Sequence, residues 1–239
     1  MTSSPALGGW LAEAAAVLSP VCCAGCGAAD VGVCPECRVA LRPSLQRVRA
    51  GPVSVLVALE YGGVVAHVLG AVKERGRTDA LGVLAAPLGV ALASALASAG
   101  GAAVLVTVPS ARAAVRRRGF RPVEELVRRS GVGRDSVRPR GRPVRGGLVL
   151  VREVADQAGL GVEERRVNLE GALRASARLA GRHVLIVDDV LTTGATLLEA
   201  RRALEAVGAR VEGAVCLAYT RRRDGRGEPQ VTRRRPAGS

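Results

Sequence analysis

Two clusters carry residue types that could do chemistry. Five of the six cysteines fall between Cys22 and Cys37. Four of them form Cys23-Ala-Gly-Cys26 and Cys34-Pro-Glu-Cys37, two C-x-x-C pairs seven residues apart. Four thiolates complete a tetrahedral zinc shell, and a closed shell of this kind is structural because no position is left for an activated water. Gly25 and Gly27 supply the permissive backbone that such turns need. The gap leaves room only for a short hairpin or loop between the knuckles. The competing reading is a pair of disulfides, or a metal site that has lost its ion. The stretch Met1–Pro20 has no basic start and is interrupted by Glu13, so no secretory signal is expected and disulfides are disfavoured. Cys22-x3-Cys26 is also a permissible spacing, so the first ligand is either Cys22 or Cys23. Cys216, inside the apolar run Ala214–Ala218, reads as a buried strand residue.

The second cluster follows His183. Val184–Val187 is a continuous aliphatic run, as expected of a strand buried on both faces. Asp188 and Asp189 follow it, then the small-residue turn Thr192-Thr193-Gly194-Ala195-Thr196. An amphipathic helix is expected from about 195 to 207, ending at Gly208. Free amides and the positive dipole of a helix start favour a phosphate. Gly194 allows close backbone approach, and the threonine hydroxyls add donors. Paired carboxylates suit a diol such as the 2′- and 3′-hydroxyls of a ribose, directly or through a divalent cation. A generic acidic turn before a helix is the alternative.

These residues need a scaffold. Alternating patterns predict strands near 53–60, 103–108, 147–151, 183–187 and 210–218, and helices over 63–75, 79–98, 122–130 and 195–207. The fold class expected is α/β, a doubly wound, mostly parallel sheet with a small N-terminal zinc-binding head. The expected divisions are a head over 1–48 with one helix and the knuckles, a core domain over 53–220, and a disordered basic tail over 221–239. Residues 80–111 carry no charge and exceed the span of a membrane helix. Pro87, Gly100-Gly101 and the β-branched run 102–108 fit a helix, a turn and a buried strand better. No membrane insertion is expected, and the compartment expected is the cytoplasm.

The 239 residues carry 35 Lys+Arg against 21 Asp+Glu, a net charge of +14, and 48% are hydrophobic, which excludes global disorder. Lys73 is the only lysine. Such heavy Ala, Val, Gly and Arg use looks like coding from a GC-rich genome. From Arg112 to Arg145 there are twelve arginines against three acids, a balance of +9; from Arg221 to Arg235 there are seven against two, a balance of +5. Net charge of this sign permits a nucleic-acid partner. With only Trp10, Tyr61, Phe120 and Tyr219 as aromatics, stacking platforms for single strands are scarce.

The segment Val184-Leu-Ile-Val-Asp188-Asp189-Val-Leu-Thr192-Thr193-Gly194-Ala195-Thr196 resembles the signature of type I phosphoribosyltransferases. In order along the chain, the cysteine knuckles, Tyr61-Gly…Lys73, Val108-Pro109…Arg118-Gly119-Phe120 and Arg152…Gln157…Arg166…Asn168 resemble the ComF family associated with competence, over about Trp10 to Tyr219. The resemblance implies binding of phosphoribosyl pyrophosphate with Mg²⁺. Asp188 and Asp189 would hold the ribose hydroxyls, and the loop 192–196 the 5-phosphate. A loop over 110–119 would bring Arg117, Arg118 and Gly119 to the pyrophosphate, with Arg112 and Arg116 nearby. Arg152, Gln157, Arg165, Arg166 and Asn168 match a polar segment read as a lid, against surface chemistry and capping as the alternative. Arg121-Pro122 stand where relatives usually carry Asn-Gln, and Ser110 follows Pro109 where a Pro-rich element is shortened. Lys73 is expected to be an exposed lysine or to reach a phosphate; His67 and His183 are expected on a helix face and at the start of a strand.

The reaction implied is displacement of pyrophosphate by a nitrogenous acceptor. The alternative is a non-catalytic nucleotide- or DNA-binding module in DNA uptake, in contact with competence machinery.

Overall fold

The computed structural model describes residues 21–132, 146–152 and 168–221. The expected first helix, the tail, the lid residues Gln157, Arg165 and Arg166, and most of the 131–146 linker lie outside the described residues.

Four strands, β2 (Val53–Glu60), β3 (Val104–Thr107), β6 (His183–Leu191) and β7 (Arg210–Tyr219), form the parallel part of a five-stranded sheet. The order is β1-β2-β7-β6-β3, with β1 (Gln46–Ala50) added antiparallel at one edge. Parallel strands buried on both faces read as apolar runs, and Val55–Leu59 of β2 and Val184–Val187 of β6 do. Their side chains alternate between two packed layers. Leu56, Leu185, Val187, Val215 and Leu217 face α2 (Gly63–Arg75), α3 (Leu81–Ser98) and α5 (Pro122–Arg129). Val55, Val57, Ile186, Ala214 and Cys216 face α6 (Ala195–Glu205) and a small hairpin. This hairpin is a second sheet of β4 (Leu148–Leu150) and β5 (Leu173–Ala175), paired antiparallel. The fold is α/β with a mostly parallel central sheet, and helices cover both of its faces.

Most expected elements stand where periodicity placed them, with three differences. The arginine-rich stretch expected as a loop over 110–119 winds into α4 (Arg112–Arg118). Alanine and arginine are strong helix formers, and Gly119 closes the helix in the left-handed conformation at φ 76°. The strand expected near 147–151 exists but pairs with β5 in the hairpin and never joins the main sheet. A three-residue β5 leaves no readable pattern. Finally β6 does not stop at Val187: it runs on to Leu191, so Asp188 and Asp189 are strand residues, with Asp188 opposite Cys216 of β7.

The apolar stretch 78–98 is long and apolar enough to cross a membrane, but 56% of that span is buried inside the fold. Leu84, Leu88 and Leu92 are fully enclosed between the sheet and neighbouring helices.

Candidate phosphate-binding site and metal centre

The cysteine group forms first from local geometry. The Sγ atoms of Cys23, Cys26, Cys34 and Cys37 all lie within 4.8 Å of one another. Tetrahedral Zn–S bonds of 2.3 Å place sulfurs about 3.8 Å apart, and Cys26 Sγ to Cys34 Sγ is 3.6 Å. The donor set fits a four-thiolate site. Backbone amides point at the sulfurs as such a site requires: Cys34 N–H donates to Cys23 Sγ at 3.3 Å and Cys37 N–H to Cys34 Sγ at 3.5 Å. Burial alone would raise the Cys23 thiol, but hydrogen bonds from Cys26, Cys34 and Gly25 outweigh it and bring the pKa down to about 6. Burial pushes Cys37 upward, and its sulfur neighbours push the same way. The second knuckle opens the short helix α1 (Pro35–Ala40), which Cys34 caps. Cys22 is exposed and stands outside the group; of the two candidates for the first position, Cys23 is the one whose sulfur lies with the other three. A Cβ on Gly25 would meet Cys37 Sγ at 2.7 Å, so the first turn tolerates only glycine there.

This head is tied to the core through α2 and the residues after it. His67 Nδ1 lies 3.0 Å from the Gly25 carbonyl oxygen. Arg77 donates to the carbonyls of Cys22 (2.9 Å) and Gly32 (3.4 Å) while holding Asp79 with two further bonds. His183 pairs with Glu212 at 2.6 Å, at the opposite end of β6 from the acidic pair.

The second site is assembled at the carboxyl end of the sheet, where ligands bind in open α/β folds. Asp188 and Asp189 stand on β6, and Asp189 N–H donates to Asp188 Oδ1 at 2.8 Å. Burial, then the charge of Asp189, pushes the Asp188 carboxyl up to about 7. Four residues on, Thr193 and Gly194 lead into α6. Gly194 sits at φ 84° directly before the helix, and a Cβ there would lie 2.7 Å from Ala50 Cβ. Thr193 Oγ1 accepts from Ala195 N–H at 3.3 Å. The first-turn amides of any helix lack intrahelical partners, so the turn 192–196 carries the positive end of α6. Glu199, 5% exposed, then anchors α6: it accepts the Leu173 amide at 3.0 Å and pairs with Arg202. Sequence reasoning missed Glu199, although a carboxylate on the buried face of an amphipathic helix is a readable signal.

Lys73 corrects the expectation of an exposed lysine. Its Nζ lies 2.8 Å from Asp189 Oδ2. Arg118, in the last turn of α4, donates from Nη1 to the Lys73 carbonyl at 3.1 Å, and its Nε is buried without a protein partner. Arg117 is 3.8 Å from Glu74 Oε2 and largely exposed. The end of α4 and Gly119 therefore lie beside the end of α2, which in turn reaches the acidic pair. Arg152 donates to the carbonyls of Asn168 and Glu170, tying β4 to the segment that leads into β5.

A parallel sheet with an acidic pair on β6, followed by a glycine-opened helix, places the chain in the class of open α/β proteins that gather polar side chains at the carboxyl end of the sheet. The phosphoribosyl transferase domain family matches residues 111–233, more than half of the chain, and the chain belongs to that family. Together with the four-cysteine cluster and the relatives below, this makes it ComF-like.

The DNA utilization protein YhgH of Escherichia coli O157:H7 is 40% identical over 73 residues, covering 30% of this chain and 32% of that protein. The same-named protein of Salmonella typhi is 38% identical over an equal length. An adenine phosphoribosyltransferase from Rhodospirillum rubrum is 34% identical over 110 residues, covering 46% of this chain and 58% of that one. The matches thus span about a third of the first relatives and under two thirds of the last. Among solved structures, an orotate phosphoribosyltransferase of Mycobacterium tuberculosis H37Rv covers 77% of this chain and 92% of its own at 16% identity, with a TM-score of 0.34.

Proposed function

We propose that the chain binds phosphoribosyl pyrophosphate with Mg²⁺ and transfers the phosphoribosyl group to a nitrogenous acceptor. The observation that carries this reading is one strand-turn-helix unit of a phosphoribosyl transferase family domain, bearing Asp188, Asp189 and a helix opened by Gly194. In this reading Asp188 and Asp189 hold the ribose hydroxyls. Thr192, Thr193, Gly194, Ala195 and Thr196 hold the 5-phosphate through backbone amides and hydroxyls. Arg117, Arg118 and Gly119 attend the pyrophosphate, and the unpartnered Arg118 Nε is a donor suited to it. Mg²⁺ would be held with the ligand beside Asp188 and Asp189 and would supply charge neutralisation to the pyrophosphate.

The bond from C1 to the pyrophosphate oxygen breaks as the acceptor nitrogen bonds to C1. Positive charge that develops on the ring is offset by the acidic pair, and negative charge on the departing group by the arginines. Cys23, Cys26, Cys34 and Cys37 hold a structural zinc. The division into a head over 1–48, a phosphoribosyltransferase-like domain over 53–220 and a disordered basic tail over 221–239, and a cytoplasmic location, belong to the same reading.

Calorimetric titration with phosphoribosyl pyrophosphate and Mg²⁺ tests it. Wild type should bind, and the Asp188→Ala/Asp189→Ala variant should lose at least about tenfold in affinity, since each carboxylate-to-diol bond contributes on the order of 1.5–3 kcal/mol. Absence of heat in wild type ends the proposal. A second reading, direct contact with DNA, is favoured by the name of the DNA utilization relatives and by the exposed Arg112, Arg116, Arg117 and Arg121 along α4 and its end.

A further inference from the structure

Thirty-five basic residues of the chain include one lysine, and that lysine is the residue paired with the acidic strand end. Lys73 stands in the last turn of α2, with its side chain 30% exposed and that of Asp189 15%. An ion pair this enclosed is poorly screened by salt and is stronger than a surface pair. Burial works against the ammonium, but the charge and hydrogen bond of Asp189, with Asp188 and Tyr61 adding to them, hold it charged. Its backbone is held in place by Arg118, so only the four-carbon side chain is free to move.

We infer that Lys73 is a built-in counter-ion for Asp189 which the ligand displaces: in the free protein it holds a lone divalent cation off the acidic pair, and on binding it transfers to the anionic oxygens of the phosphorylated ribose. The inference rests on the phosphoribosyl pyrophosphate reading for its second half. The chemistry explains the residue type. A guanidinium forks onto a carboxylate through two parallel bonds and is held by that geometry, whereas an ammonium is a compact charge on a flexible stem that can exchange one oxygen partner for another. Where all other basic positions carry arginine, the position that must exchange partners carries lysine. The ligand diol satisfies the carboxylate that Lys73 leaves, so no buried charge is stranded in either state.

Two titrations test this on wild type, Lys73→Met, Lys73→Gln and Lys73→Arg. In the first, Mn²⁺ alone is added and free ion is read by electron paramagnetic resonance. The two neutral variants should bind Mn²⁺ about tenfold more tightly than wild type, because a competing positive charge is gone, and Lys73→Arg should stay near wild type. Adding Asp189→Asn to Lys73→Met should abolish the gain. In the second, phosphoribosyl pyrophosphate with Mg²⁺ is followed by calorimetry. Both neutral variants and Lys73→Arg should bind about tenfold or more weakly. Unchanged Mn²⁺ affinity in the neutral variants overturns the counter-ion role, and ligand affinity within twofold of wild type overturns the transfer. Failure of wild type to bind phosphoribosyl pyrophosphate refutes the functional reading separately, and the Mn²⁺ arm still decides the counter-ion role.

Discussion

Gly194 shows how much a single hydrogen-for-methyl change controls at the residue scale. Its φ of 84° is one that side chains rarely adopt, and the space a Cβ needs is already taken by Ala50 of the edge strand. Gly194→Ala should therefore cost about 2–3 kcal/mol from combined backbone strain and overpacking. For a chain of this size, roughly 2–4 °C per kcal/mol gives a fall of about 4–12 °C in melting temperature. A fall below about 2 °C would refute the close approach. Asp188 makes a prediction in pH. Its folded pKa, about 7, lies above the ordinary carboxylate value of 3.8, so the folded state retains a proton the unfolded chain has released. The stability this group contributes is complete below about pH 4 and is lost as pH rises through about 7. Asp188→Asn keeps the acceptor for the Asp189 amide and cannot ionise. Its melting temperature should match wild type near pH 4 and exceed it progressively toward pH 8; a constant difference across that range contradicts the assignment. The acidic pair and the threonine turn were legible by type and spacing. Lys73 was not, because its partner lies 116 residues away along the chain and nothing local marks the meeting.

Among the elements, α2 links two sites that are distant in sequence. His67 near its middle and Arg77 just beyond its end both contact the cysteine head, while Lys73 between them meets Asp189. Arg77 bonds two head carbonyls and is itself oriented by Asp79. Arg77→Ala should loosen the head without unfolding the sheet. Zinc loss to excess chelator should accelerate about tenfold while the main melting transition moves by only a few degrees. Equal rates in variant and wild type would show that the cysteine turns hold themselves. Long apolar elements such as α2, α3, β2 and β7 were readable from the chain because burial on most sides makes them near-continuous apolar runs bounded by turn residues. β1, β5 and α4 were not. β1 alternates charge and small apolar residues at a sheet edge, where Arg47 and Arg49 discourage further pairing. β5 has three residues and exists only because Glu199 and β4 hold it. α4 buries none of its residues, so its arginines gave no amphipathic pattern to distinguish helix from loop.

At the scale of the whole molecule, the arginines described around α4 divide between a surface and the candidate site. Arg118 turns toward Lys73, whereas Arg112, Arg116, Arg117 and Arg121 are exposed on or beside α4. If those exposed arginines contact DNA, affinity for a single strand should fall steeply between about 50 and 200 mM salt. Arg116→Ala and Arg117→Ala should each reduce the slope of log K against log salt by about 0.7. Binding that ignores salt, or variants that leave the slope unchanged, would exclude this surface. By itself the chain determined its α/β class, the four-thiolate chemistry and the acidic pair before a glycine-opened helix. Each of these depends on residues close together in sequence, whose spacing is a local constraint. The tertiary structure alone decided that Cys23 and not Cys22 joins the sulfurs, that Arg118 leans on the end of α2, and that the single lysine neutralises Asp189. The first outcome is set by how the first knuckle turns, which spacing alone leaves open; the other two depend on how α2, α4 and β6 come together, and no short sequence window contains both partners.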